Sequence, residues 1–274
     1  MRRSKTIAAL ATVLAASSVL LAEQPVANAA DDQGLYVAAT AYTFDGDGTP
    51  AATTDYFSTG DANTTSTAAA ATDTSCTDKT YALKSWKVGT LTWLYNGTGV
   101  PTTVAGTALD TIKAATTTVA KGTNRCGLPT STSTTSTFTY GGTTTVKPQV
   151  ASNGTCTGND GKSVTGWGAL PTKVLAYTCT YYNARGVVVA SDTLIDNVAY
   201  TWFTTKPANC TGAKYDLQTT LTHERLHTAG LAHVDQAKDP AQVMTPASAP
   251  CDTSRRLLAA GDYAGLKAAA SATK

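Results

Sequence analysis

The sequence contains few of the side chains that usually carry chemistry. Of its 274 residues only three are histidine and two are methionine, and glutamate occurs only at Glu23 and Glu224. The formal net charge is +2, and no run or stripe of basic residues is present. This absence argues against nucleic acid or anionic lipid as a partner. No C-x-x-C pair is present either, which argues against a thiol-based zinc site.

Beyond residue 29 the chain has no apolar run long enough to span a membrane. Before it, a basic start at Arg2 and Arg3 precedes an apolar stretch over residues 6–22 and an A-x-A cleavage site at residues 27–29. This pattern predicts a signal peptide over residues 1–29, and therefore a secreted, extracellular protein with no membrane association after cleavage. A membrane anchor is disfavoured by the short apolar core. Twin-arginine export is disfavoured because no apolar pair follows the arginines.

Cysteine is scarce, but its number is even. All six cysteines follow residue 29, and an even count in an exported protein predicts three disulfides. Pairing neighbours in the sequence closes the shortest loops, which costs the least entropy. The predicted pairs are Cys76–Cys126, Cys156–Cys179 and Cys210–Cys251.

Composition divides the exported chain into two parts. Residues 30–75 are rich in Ala, Thr, Asp and Gly, which is typical of a pro-region or flexible leader, with room for one strand over residues 35–44. Residues 76–274 have the length and the mixture of apolar and polar residues of a single folded domain.

Hydrophobic periodicity and the order of the elements predict an α/β (α+β) domain. Residues 90–95 place Leu91, Trp93 and Tyr95 on one face of a strand. Residues 130–146 favour loop or edge strands. The other predicted strands cover residues 173–182 and 187–195, and the predicted helices cover residues 106–121, 216–229 and 257–270.

The three histidines and the one glutamate that follows residue 29 all lie within residues 223–233, in the pattern H-E-x-x-H-x-x-G-x-x-H. On an α-helix His223 and His227 stand one turn apart on nearly the same face, so both can reach one metal ion. Glu224 lies beside them on the helix wall, where it can reach a water at the metal. The spacing therefore predicts a metal site with an adjacent general base.

Gly230 permits the positive φ that a sharp turn requires, and such a turn returns His233 to the same ion. Three imidazole ligands leave the fourth tetrahedral position open, which is typical of catalytic Zn²⁺. Zinc lowers the pKa of bound water to about 7, and Glu224 is the candidate general base and acid.

The motif resembles that of the metzincin clan of zinc peptidases, in which a methionine in a tight turn lies beneath the metal. Met244, in the run Val-Met-Thr-Pro over residues 243–246, resembles this Met-turn. Three features resemble those of matrixins. They are Pro246, the run Tyr-Asp-Leu at residues 215–217 and the final-helix pattern over residues 258–266. The resemblance implies a metzincin-like catalytic domain over residues 76–274, with a twisted mixed sheet, an active-site helix, a Met-turn and a C-terminal helix. It also implies a monomeric zinc endopeptidase that acts on protein or peptide substrates.

Three further expectations accompany the resemblance. Residues 125–129 resemble the matrixin cysteine switch, in which Cys126 would bind the metal, although a disulfide is favoured. A structural Ca²⁺ ion is a weaker expectation, with oxygen-rich loops at residues 45–48 and 159–161 as candidates. The strand at residues 187–195 is expected near the cleft, where substrate could pair with it.

A second function stays open. The alternative to an endopeptidase is a secreted binding or cell-surface module that contains zinc without significant catalysis. The presence of Glu224 favours the enzyme, because a purely structural site has no need of a base.

Overall fold

The computed structural model describes residues 35–38, 43–44, 50–51, 56–59, 74–130 and 136–271. Within these ranges the helices are α1 (Ala108–Lys121), α2 (Leu217–Thr228) and α3 (Ala260–Ser271), with a 3₁₀ turn at Thr74–Cys76. The strands before α1 are β1 (Leu35–Ala38), β2 (Thr43–Phe44), β3 (Pro50–Ala51), β4 (Tyr56–Thr59), β5 (Ala82–Leu83) and β6 (Thr90–Tyr95). The later strands are β7 (Thr137–Thr143), β8 (Ser163–Gly168), β9 (Val174–Asn183), β10 (Val188–Asp196), β11 (Thr201–Phe203), β12 (Lys214–Asp216), β13 (Leu231–Ala232) and β14 (Ala247–Ser248). The predicted signal peptide lies outside the described residues.

The main sheet is mixed. Its central strands follow the order β7-β6-β8-β10-β9. β6 pairs in parallel with both β7 and β8, and β8 pairs in parallel with β10. β9 runs antiparallel to β10. Beyond β9 lie β4 and then β14, and β1 pairs with another part of β9. The protein is therefore a mixed α/β fold, as the periodicity predicted.

The core between the sheet and its helices follows the predicted patterns. Leu91, Trp93 and Tyr95 are buried on one face of β6, as predicted. Ile112 of α1 belongs to the same apolar cluster as Trp93 and Tyr95. The helix ends where Gly122 adopts the left-handed conformation, with φ 63°, as expected of a glycine stop. The predicted start of α1 was two residues too early, since the helix begins at Ala108.

The position of β10 corrects one prediction. Residues 187–195 were expected to pair with substrate at the cleft, but β10 lies inside the sheet. Thr193 pairs with Thr165 of β8 on one side and with Thr178 of β9 on the other. Both hydrogen-bonding edges are used there, so the prediction is wrong for this strand. The order of strands depends on long-range pairing, which the local pattern does not encode.

Three disulfides join distant parts of the fold. The structure bonds Cys76 to Cys126, Cys156 to Cys179 and Cys210 to Cys251, the same pairs that loop length predicted. Cys126 is therefore not a free thiol. Three such bonds fit an oxidising, extracellular environment. No helix in the described ranges is long and apolar enough to cross a membrane.

A carboxyl group is buried in the middle of the sheet. Asp192 of β10 is fully buried, and its Oδ1 accepts a hydrogen bond of 3.0 Å from the backbone N–H of Val164. Burial disfavours the charged form and raises the pKa of Asp192 to about 7. Since this folded-state pKa lies above the ordinary value, the folded protein holds the proton more tightly than the unfolded chain. The contribution of Asp192 to stability is therefore lost as pH rises from about 4 to about 7.

Replacing Asp192 by asparagine should consequently remove part of this pH dependence. The effect of Asp192→Asn on the free energy of unfolding should be more favourable at pH 8 than at pH 4 by on the order of 3 kcal/mol. The reason is that asparagine, unlike aspartate, forms no buried charge at pH 8. Urea unfolding at both pH values measures this difference. The same substitution at Asp110, which is exposed on α1, is the control. An equal effect of Asp192→Asn at both pH values would contradict the prediction.

Candidate metal centre

The start of α2 is fixed by a buried carboxylate. Asp216 is the N-cap of this helix and accepts a hydrogen bond of 3.0 Å from the backbone N–H of Thr219, as its position in the sequence predicted. Arg256 donates to both oxygens of Asp216, from Nε at 2.8 Å and from Nη2 at 2.6 Å. The two-point ion pair holds the helix that carries the motif against the segment leading to α3.

The three histidines of the motif converge as the spacing predicted. The Nε2 atoms of His223 and His227 each lie 3.0 Å from Nε2 of His233. A tetrahedral ion at about 2.0–2.1 Å from each nitrogen requires nitrogens about 3.3 Å apart, close to this spacing. The donor set therefore fits a metal ion held by three imidazole nitrogens.

Backbone carbonyls hold two of these rings in one tautomer. Nδ1 of His223 lies 2.7 Å from the carbonyl oxygen of Val243, and Nδ1 of His227 lies 3.0 Å from that of Leu231. Because a carbonyl only accepts, each Nδ1 carries the proton and each Nε2 lone pair points toward the other imidazoles. Burial, reinforced by the neighbouring imidazoles, holds the pKa of His223 and of His227 well below its ordinary value. Both rings are therefore neutral at pH 7, the form that ligates a metal.

A glycine turn brings in the third histidine. Gly230 has φ 102°, and a Cβ atom there would collide with the carbonyl oxygen of Trp86. The Trp86 indole N–H donates a hydrogen bond of 3.1 Å to the carbonyl of His227, so the same residue fixes the end of α2. The chain then continues as β13, which pairs with β5, and reaches His233. The positive φ expected of Gly230 is confirmed.

The segment that contains Val243 and Met244 is held by Asp262, a residue that the sequence did not single out as functional. Met244 is buried in an apolar cluster with Leu226 of α2. The Asp262 carboxylate accepts from the backbone N–H groups of Val243 at 2.8 Å and of Met244 at 3.1 Å. Burial raises the pKa of Asp262 to about 6. Asp262 thereby fixes the carbonyl of Val243 that orients His223. The sequence signal that could have identified Asp262 is its place in the final-helix pattern over residues 258–266.

Glu224 faces the sheet beside the histidines. It is fully buried, and its Oε2 accepts a hydrogen bond of 2.5 Å from the hydroxyl of Thr178 on β9. The hydroxyl of Thr193 on β10 lies 3.1 Å from that of Thr178. Sequence reasoning missed both threonines, because no local pattern links them to a residue on α2.

Hydroxyl groups contribute contacts of α2 both with the sheet and with α1. Ser191 lies 2.8 Å from the hydroxyl of Thr228. Arg225, which is fully buried, donates to the hydroxyls of Thr116 at 3.1 Å and Thr165 at 2.7 Å. Its guanidinium lies 4.9 Å from the centre of the Trp93 ring. Burial lowers the pKa of Arg225 to about 10, so it remains charged at neutral pH. These polar contacts fix the rotation of α2 and hence the direction of Glu224.

The metal-binding potential is concentrated at this one place. Throughout the described ranges, one group of three or more histidine, cysteine, aspartate or glutamate side chains could hold a metal ion. Its members are His223, His227 and His233. The predicted calcium loop at residues 159–161 forms tight turns, in which Asn159 accepts from Gly161 and Asp160 accepts from Lys162. The other loop, residues 45–48, lies outside the described residues. Calcium stays a prediction.

No protein-family model matches this sequence, and no curated protein is similar to it at a significant level. The fold and the site therefore define the class. It is a mixed α/β protein in which three histidines, two of them on one helix, form a group that could hold a metal ion.

Proposed function

We propose that the protein is a secreted zinc-dependent endopeptidase with a metzincin-like catalytic domain over residues 76–274, similar to matrixins. The observation that carries this proposal is the convergence of three imidazole nitrogens next to the buried carboxylate of Glu224. Three nitrogen ligands leave a position open for water or substrate, as in catalytic zinc sites. The predicted substrates are proteins or peptides, and the predicted form is a monomer.

The chemistry divides between the ion and the carboxylate. When bound, zinc supplies Lewis acidity, which polarises a peptide carbonyl and acidifies water. Glu224 takes a proton from the attacking water, whose hydroxyl oxygen forms a bond to the carbonyl carbon. As the C–N bond breaks, Glu224 returns the proton to the leaving amine. His223 and His227 keep their own protons on Nδ1, where the carbonyls of Val243 and Leu231 accept them.

The competing function is a binding or cell-surface module in which zinc is only structural. Casein digestion by the purified protein, with and without a chelator, tests the choice. Hydrolysis that is lost with the chelator and restored by zinc supports the peptidase. Protein that contains zinc but does not cleave casein or a peptide library would support the module instead.

The contact between Thr178 and Glu224 gives a prediction about rate. Thr178→Val should lower kcat about tenfold with little change in KM, because the carboxylate loses the hydroxyl that orients it. Thr178→Ser keeps the hydroxyl and should retain most of the activity. Steady-state kinetics on a fluorogenic peptide measures both parameters.

The matched control is Thr180→Val on the same strand. The Thr180 hydroxyl lies 3.3 Å from that of Ser191 on β10. This variant should lose stability comparable to Thr178→Val while keeping kcat. Equal losses of kcat in the two valine variants would show that Thr178 acts only through packing.

A further inference from the structure

A groove lined by cationic side chains lies where the segment before β6 meets the turn between β9 and β10. Lys84 and Lys87 line it from the segment, and Arg185 lines it from the turn. No aspartate or glutamate is among the described residues that line the groove. Because the whole chain carries a formal net charge of only +2, three cations at one groove are a local excess of positive charge.

The lining of the groove also offers apolar surface. Trp86 is buried and stacks on Tyr182, with ring centres 5.2 Å apart. The ammonium group of Lys84 lies 5.8 Å from the centre of the Trp86 ring. Leu83, which also belongs to the lining, is 40% exposed. A ligand in the groove therefore meets apolar surface as well as positive charge, which suits a side chain with a short apolar stem and an anionic end.

Backbone hydrogen bonds join the two walls of the groove. The N–H of Lys87 donates to the carbonyl of Gly186 at 2.8 Å, and the N–H of Val188 donates to the carbonyl of Lys87 at 2.9 Å. Within the turn, the side chain of Asn183 accepts from the backbone N–H of Arg185 at 3.0 Å. The backbone positions that carry the cations are therefore fixed before any ligand arrives, which lowers the entropic cost of binding.

The groove borders the metal centre. The backbone N–H of Lys84 donates to the carbonyl of Gly230 at 2.8 Å. The indole N–H of Trp86 donates to the carbonyl of His227, as described above. Both contacts hold the lining of the groove against the stretch of chain from His227 to His233, which carries two of the three histidines.

We propose that this groove binds an acidic segment of the protein substrate, so that the peptidase prefers chains with aspartate or glutamate near the bond that it cleaves. The inference rests on the proposed function. Three cations attract a carboxylate and repel a basic segment, and no carboxylate among the described lining residues offsets this preference. Lys84, Lys87 and Arg185 are thus specificity residues, which contact a remote part of the substrate and take no part in proton transfer.

Peptide binding without cleavage tests the groove by itself. In a Glu224→Gln background, the probes are two labelled peptides of equal length, in which the glutamates of one are glutamines in the other. The acidic peptide should bind about tenfold more tightly, because each of several surface ion pairs contributes modestly. The difference should shrink between about 0.1 M and about 1 M salt, since the Debye length falls from about 10 Å to about 3 Å. Equal affinities at the lower salt concentration would overturn the proposal.

Charge reversal in the turn locates the binding. Arg185→Glu should remove most of the preference, because a carboxylate replaces one of the three cations at an exposed position whose backbone N–H can still reach Asn183. The matched control is Lys206→Glu, which makes the same change of charge at an exposed position before β12, the strand that leads into α2. The control should keep the preference. Equal losses in the two variants would show that net charge selects the peptide, and would contradict the assignment to the groove.

The sequence offers one competing occupant, the acidic pair Asp31 and Asp32. Replacing both by asparagine should leave the affinity for the acidic peptide unchanged. If the acidic peptide bound only to that double variant, the groove would serve this chain's own acidic pair, and the substrate proposal would be wrong.

Hydrolysis separates the groove from the peptidase. With Glu224 present, cleavable forms of the two peptides should differ about tenfold in kcat/KM, mainly through KM, and Arg185→Glu should bring this ratio close to one. Selective binding without cleavage of either peptide would support the groove and overturn the peptidase. Cleavage of both peptides with equal kcat/KM would support the peptidase and overturn the groove.

Discussion

Replacing Glu224 by glutamine should reduce peptide hydrolysis by about 10²–10⁴-fold while the protein still binds one zinc ion per chain. Glutamine has nearly the same shape and keeps an oxygen that can accept from Thr178, so the helix and the three histidines should stay in place. What it loses is the ability to take and return a proton. Kinetics on a peptide substrate and metal analysis of the same preparation measure the two effects separately.

The choice of control follows from the position of Glu224 on a buried helix. Thr222→Val removes a hydroxyl from the same helix, one that donates to the carbonyl of Gln218 and has no part in the proposed proton transfer. It should keep both zinc and most of the activity. If Glu224→Gln remained within a few-fold of the unmodified protein, another group would have to activate the water. No other glutamate follows residue 29.

The site was predictable where its geometry is local. A metal ion needs His223 and His227 on one side of a helix, and the spacing of four residues meets that need directly. The cap at Asp216 and the turn at Gly230 are also local features, fixed by the conformations that those residues favour. These predictions are confirmed because each depends on neighbours within about one helical turn.

The sheet was less predictable, for two physical reasons. β8, residues Ser163–Gly168, was missed because its two glycines weaken the strand pattern, although long-range pairing with β6 and β10 buries it. The interior position of β10 has a different origin. Both β9 and β10 have sequences that favour strands, and only long-range pairing with β8 and β9 places β10 inside the sheet.

The supporting residues of the site were the hardest to predict. Thr178 meets Glu224 across 46 positions of sequence, and Asp262 reaches back to the chain at Val243. Threonine is common throughout this chain, so its presence at one strand position carries no local signal. Its role depends on the register of β9 beneath α2, which only the folded structure fixes.

Replacing His227 by alanine should abolish both zinc binding and hydrolysis. Residues that merely orient a metal ligand are worth about 10–100-fold in affinity, so removal of a ligand should cost more than this. Two imidazoles would remain, from His223 and His233, and these do not complete a stable site of the kind that three nitrogens form. Competition with a fluorescent chelator measures the zinc affinity directly.

Loss of zinc must be separated from loss of the fold, because His227 is fully buried. His233 is partly exposed, and His233→Ala should weaken zinc binding by a similar factor with less disturbance of the core. Met244→Leu is the opposite control: it changes a buried side chain packed against Leu226 of α2 while leaving all three nitrogens, and should retain zinc. If His233→Ala folded normally, bound zinc with unchanged affinity and remained active, the three-histidine site would not be the metal centre. If Met244→Leu lost zinc as completely as His227→Ala, packing of the core around Met244 rather than ligation would govern the zinc affinity.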